Sequence, residues 1–166
     1  MQILIFTSTG LYVRIIFSLM RPILCVVDLT ESAAKVLEVA ATMAYAYKSH
    51  LTILFPYRLI DNEYRGEISN LKGKLEQQAK EKFFSLKKQV AVLEQVLHEF
   101  QPEIGFAADR ISYFVKWNKV ASVVISQRQA NLMNEINQVP FQNLISNSRI
   151  PFVIVPEEVD VDVFSH

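Results

Sequence analysis

Several things are scarce in this sequence, and each scarcity excludes something. Cysteine occurs once, at Cys25, so neither an intramolecular disulfide nor a thiol cluster for zinc can form. Cys25 lies within the apolar run 23–27 and reads as a small buried hydrophobe. A reactive thiol would need a nearby cation or a helix N-terminus. The three histidines, His50, His98 and His166, are far apart in the chain and outline no metal site. Positive charge is not in excess: Lys+Arg and Asp+Glu both number 17. A general nucleic-acid binder carries a basic surplus to neutralise phosphates, so nucleic acid is not an expected partner. Catalytic signatures are missing too. No Gly-x-Ser-x-Gly, paired-histidine or Cys–His arrangement occurs, and no enzyme is expected. Glycine appears four times, at Gly10, Gly66, Gly73 and Gly105, and never beyond Gly105.

What the chain has in quantity is hydrophobic residues, 51% of 166, with charged residues at 20%. That balance suits one domain built on a sheet covered on both faces, whose strands are apolar throughout rather than alternating. The first twenty residues are apolar but broken by Thr7, Ser8, Thr9, Gly10 and Arg14. An arginine mid-span is costly in a membrane, and no positive start or small-residue cleavage site marks a secretory signal. Residues 1–20 therefore read as an extension from an upstream start codon, with Met20 as the natural beginning. A weak anchor or signal is the alternative, and the expected location is the cytoplasm.

From Ile23 onward, short apolar runs alternate with helical periodicity. Strands are expected over 23–27, over 51–55 with Pro56 closing it, over 121–125 and over 150–155. Thr30 or Ser32 is expected to cap a first helix whose apolar face uses Val36, Leu37, Ala40, Met43, Ala44 and Tyr47. Polar residues 58–70 read as a loop. A long helix follows, with Leu71, Leu75, Ala79, Phe83, Leu86, Val90 and Leu93 on one side. Its lysine-rich opposite side reads as a solvated face held by pairs such as Glu76 with Lys80, an anionic-lipid surface being the alternative. Over 96–104, period two and Pro102 together predict an edge strand. Asp109 is expected to cap a short helix, and a last helix is expected over 136–148 with Pro140 near its start. Residues 157–166 read as an acidic tail. Strand–helix alternation of this length implies parallel pairing with right-handed crossovers.

Four segments carry a family likeness. They are Arg21-Pro22-Ile23-Leu24-Cys25-Val26-Val27-Asp28, Glu103-Ile104-Gly105-Phe106-Ala107-Ala108-Asp109-Arg110-Ile111, Ser122-Val123-Val124-Ile125-Ser126, and Ser148-Arg149-Ile150-Pro151-Phe152-Val153-Ile154-Val155-Pro156. In order and spacing they resemble the universal stress protein family over residues 21–156. The resemblance implies an α/β fold with a five-stranded parallel sheet in the order 3-2-1-4-5 and helices on both faces. Nucleotide-binding members carry Gly-x2-Gly-x9-Gly-Ser/Thr after the fourth strand, where backbone amides approach phosphate oxygens. Here that stretch runs from Ser126-Gln127-Arg128-Gln129 to Asn137-Gln138-Val139-Pro140. Gln129 and a residue near Val139 stand at glycine positions, and Pro140 lacks an amide donor.

Asp28 matches the family's acidic residue at the end of the first strand, which faces adenine or a metal held by phosphates. The plainer reading is that it caps the following turn. Arg128 is a candidate for holding an anion by its side chain alone. The resemblance thus implies a non-catalytic regulatory or stress-response protein with no cofactor. It would act as a homodimer through the last strand, which begins near Ile150 and ends at Val155, and an unidentified protein partner is possible. The alternative is a nucleotide-binding switch or slow ATP hydrolase with a rebuilt loop around Asp28, Ser126 and Arg128. A peripheral membrane protein is a third reading, should residues 1–20 be retained.

Overall fold

The computed structural model describes residues 21–30, 32–58, 68–136 and 140–157. The expectations for residues 1–20, for Val139 and for most of the tail lie outside them. Five strands form one parallel sheet in the order β3-β2-β1-β4-β5, in agreement with the order that the resemblance implies. They are β1 (Ile23–Val26), β2 (Leu51–Tyr57), β3 (His98–Ile104), β4 (Ser122–Ser126) and β5 (Phe152–Val155). The helices are α1 (Ala33–Ala46), α2 (Ile68–Lys87), α3 (Ala107–Asn118), α4 (Gln127–Ile136) and α5 (Phe141–Ser148), with a 3₁₀ turn at Ala91–Gln95. No helix of the described residues is long and apolar enough to cross a membrane.

The central strands are apolar on both sides because both sides are covered. On one face Cys25, Ile53 and Val124 pack with Val36, Leu37, Ala40 and Ala44 of α1 and Phe83 and Leu86 of α2. On the other, Leu24, Val26, Leu54 and Ile125 pack with Ile111 and Phe114 of α3, Met133 of α4 and Leu144 of α5. Cys25 is fully buried, and burial pushes its thiol far up, so it is inert as a nucleophile. The outer strand β3 is only half-buried, and Phe100 stacks on Phe83 at 4.3 Å.

Several boundaries differ from the sequence reading, each for a local reason. Pro56 does not end β2. The strand continues to Tyr57 because Phe55, Pro56 and Tyr57 pair with β3 alone, beyond the reach of β1. A missing amide is tolerated where one side of a strand is unpaired. Burial, and then the hydrogen bond to Glu76, push the Tyr57 phenol up to about 12. The expected loop over 58–70 gives way to helix by Ile68. The long helix stops at Lys87, and Val90 and Leu93 reach the same core from the 3₁₀ turn. Glu76 pairs with Lys72, at 3.7 Å, in place of the expected Lys80. Asp109 is not a cap: α3 begins at Ala107 behind an extended Phe106, leaving Asp109 in the first turn, where a carboxylate suits the helix dipole. The helix expected over 136–148 is two: α4 ends at Ile136 and α5 starts at Phe141, with an extended Pro140 at its cap position.

Candidate functional site

Open parallel sheets place ligands beyond the carboxyl ends of their strands, where the order reverses. Here that point lies between β1 and β4. Asp28 follows β1 by two residues, and its Oδ1 accepts hydrogen bonds from the Thr30 amide (3.1 Å) and the Thr30 hydroxyl (2.6 Å). This is an Asx turn, and the short acidic side chain closes it. Leu29 takes a positive φ of 57° within it. The Thr30 hydroxyl also lies 3.1 Å from Ser32 Oγ. Ser32 occupies the cap position of α1 but makes no side-chain capping bond; the Ala33 amide donates to the Thr30 carbonyl instead.

After β4 the chain enters α4 with no intervening loop, since Ser126 ends the strand and Gln127 begins the helix. Ser126 is buried, and its Oγ accepts the Gln129 amide at 3.0 Å. One of the otherwise unpaired amides of the first helical turn is therefore taken by the chain's own serine. Gln129 is only 7% exposed, so its side chain fills space that a glycine would leave empty. Its Oε1 finds no partner among the described residues. Ser-Gln-Arg-Gln is half of a capping box: the serine arm is made and the returning glutamine arm is not. That signature was the signal for α4, which the sequence reading passed over for a loop.

The three expected site residues all lie at this end of the sheet. Arg128 Nε lies 4.0 Å from Asp28 Oδ2, with the two side chains 51% and 21% exposed. Ser126 and Arg128 also line a hollow of about 760 Å³ with Thr30, Ser32, Lys35 and Val155. Lys35 was not singled out from sequence, and Thr30 and Ser32 only as helix caps. Glu38 and Glu157 line the same hollow, so its cations are matched by acids. The space offers hydroxyls and charged side chains to a small polar ligand. It offers no glycine backbone, because the sole described glycine near any strand end, Gly105, follows β3 at the sheet edge. His50 and His98 stand at the amino ends of β2 and β3, the opposite end of the sheet from Ser126. No group of three His, Cys, Asp or Glu side chains among the described residues is placed to hold a metal.

Comparison with known proteins extends this picture. No curated protein matches the sequence. Solved structures with the same fold include a universal stress protein from Burkholderia pseudomallei, at 14% identity and a TM-score of 0.60, covering 86% of this chain and 98% of that one. Another is a universal stress protein in complex with cAMP, at 15% identity and a TM-score of 0.56, with coverage of 82% and 97%. A third, from Archaeoglobus fulgidus in complex with dAMP, has 15% identity and a TM-score of 0.52, with coverage of 82% and 98%. At such identities the likeness concerns the fold. The sequence itself matches the profile of the universal stress protein family over residues 20–156, the whole of the sheet and its helices, and the chain belongs to that family.

Proposed function

We propose that this family member is a non-catalytic regulatory protein that works as a homodimer and does not hold ATP by a glycine loop. The observation that carries the reading is the Ser126 hydroxyl on the Gln129 amide, 3.0 Å apart, at the point where a phosphate cradle would lie. A triphosphate needs several main-chain donors within reach and no side chains in the way. Here one donor is engaged, the Gln129 side chain is packed into the gap, and Pro140 has no amide to give. The residues present do not fit the nucleotide in the family manner. The reading as a non-enzyme is supported by Ser126 itself, whose oxygen is engaged as a helix cap and lies far from either described histidine.

Dimerisation is supported by the contrast between the sheet edges. The β3 edge carries Glu99, Pro102 and Glu103, the residues that blunt an exposed strand. The β5 edge is Phe-Val-Ile-Val, bonded to β4 on one side, with Ile154 38% exposed. A short apolar edge of this kind is stable when it meets a partner across a two-fold axis.

Thermal unfolding with and without ATP and magnesium tests the first half. The midpoint should stay unchanged, whereas ligand at about 100 times its Kd would raise it by roughly 5–10 °C. Light scattering after size exclusion tests the second: a monomer at concentrations on the order of 10 µM would overturn the dimer. The rival reading is a nucleotide-binding switch or slow hydrolase built on Asp28, Ser126 and Arg128. It draws support from the 760 Å³ hollow lined by Ser126 and Arg128 and from the cAMP and dAMP in the two similar structures. An ATP-dependent shift that vanishes in Asp28→Ala would establish it and retire the first.

A further inference from the structure

The outer flank of α3 carries a run of aromatic and cationic side chains that neither the sheet nor the hollow uses. Phe106, Arg110, Tyr113 and Trp117 follow one another at spacings of four, three and four, which sets them in one row along the helix. Tyr113 is 53% exposed and Trp117 64%. Their rings lie 6.3 Å apart. Cations stand over the row: Arg58 is 4.7 Å from the Phe106 ring, Arg110 5.8 Å from that of Tyr113, and Lys116 5.1 Å from that of Trp117. Arg110 lies close against Gly105, where an added Cβ would meet its Nε at 3.0 Å, and that Nε has no acceptor among the described residues. Of the nearby acids of β3, Glu99 is engaged, accepting the Thr52 hydroxyl.

Exposed Trp, Tyr and Arg in one patch are the composition of a protein-binding surface, since they bring large rigid area and a charge at low ordering cost. The cations call for an acidic occupant with apolar side chains beside its carboxylates. The chain contains such a segment. Glu157 and Glu158 are followed by Val159, Asp160, Val161, Asp162, Val163 and Phe164, acid alternating with apolar. In an extended segment of this pattern Glu158, Asp160 and Asp162 share one face, and that acid face matches the cations that stand over the rings of α3.

We propose that this flank of α3 is a docking surface whose occupant is the segment 157–164 of a second copy of the chain. The row lies on the side of α3 away from α5, which packs near Ala108, Ser112 and Val115, so it faces outward to another molecule. This docking goes beyond the regulatory reading above and does not depend on the β5 edge.

Trp117 is the only tryptophan and reports on the surface directly. In the full-length protein, acrylamide quenching of its fluorescence should weaken as concentration rises from about 1 µM to about 100 µM, a range suited to a small interface. The protection should be lost in the Asp160→Asn/Asp162→Asn double variant and lost in high salt, but retained in Ile154→Lys, which targets the β5 edge. Quenching that ignores concentration would overturn the proposal. So would protection that survives the double variant but disappears in Ile154→Lys, which would assign it to strand pairing. Protection conferred by a short single-stranded oligonucleotide and unaltered by the double variant would overturn it in favour of nucleic acid.

Discussion

The turns after β1 and β4 stand next to each other at one end of the sheet, and both are closed by a side-chain oxygen, yet they leave different things open. After β1, Asp28 holds Thr30 through one carboxylate oxygen and turns the other toward Arg128 at the surface. After β4, Ser126 is buried, its oxygen is occupied by the Gln129 amide, and the glutamine side chain fills the space behind it. The first turn keeps a polar carboxylate oxygen partly open to solvent. The second is a structural joint. There the helix begins at once, and the chain's own serine caps its first turn.

The comparison can be broken at its common support first. Ile125 is fully buried, pairs with Val26 and Ile154, and lies directly before the second turn. Ile125→Ala should cost about 2–5 kcal/mol, read as a lower urea midpoint, because the site cannot collapse around the lost volume. A cost under about 1 kcal/mol would show that the turns do not share a rigid floor.

The two turns can then be ranked against each other. Ser126→Ala leaves a buried amide without its acceptor and should cost about 1–2 kcal/mol, while Asp28→Ala, in a more solvated turn, should cost about 0.5–1 kcal/mol. If the order is reversed in parallel denaturation curves, Asp28 and not Ser126 is the structural joint. Arg128→Ala should cost still less, about 0–1 kcal/mol, because its 4.0 Å pair with Asp28 is half in solvent. An equal loss in a double-mutant cycle with Asp28→Ala would sharpen that figure into a coupling.

The smallest effect comes from the far end of the sheet. Burial pushes the His50 imidazole below its usual value, although Glu99 pulls it the other way. The folded protein then resists protonation more than the unfolded chain does. Stability from this group is complete above the unfolded value near 6.5 and declines as pH falls from there toward the lower folded value. Replacing His50 with Gln should flatten the stability curve in that window. An unchanged slope would move the pH dependence back to the carboxylates near the turns.

How much of this was legible depended on where the deciding atoms lie in the chain. The apolar runs in β1 and β4 mark central strands, because only strands covered on both faces lack alternation. Pro102 marks the β3 edge for the equally local reason that a missing amide needs an unpaired side. Pro56 misleads on the same rule, since a proline fits inside β2 wherever β1 has already ended. The helix α4 was missed because the residues after Ser126 were weighed only against the family's glycine signature, though Ser126 and Gln129 carried half a capping signature. Residues 89–95 showed a helical rhythm that the structure delivers through a 3₁₀ turn, as apolar spacing reports which side faces the core and not how the backbone gets there.

By itself the sequence determined the layered parallel architecture and withheld glycine from the turn after β4, because strand periodicity and hydrogen-only positions are properties of single residues and their neighbours. Tertiary structure alone decided that Arg128 meets Asp28, one hundred positions away, that Thr30, Ser32 and Lys35 share a hollow with Ser126, and that Arg58 stands over Phe106. Those meetings depend on the order in which parallel strands are laid side by side, and crossover connections bring together residues whose spacing along the chain carries no trace of it.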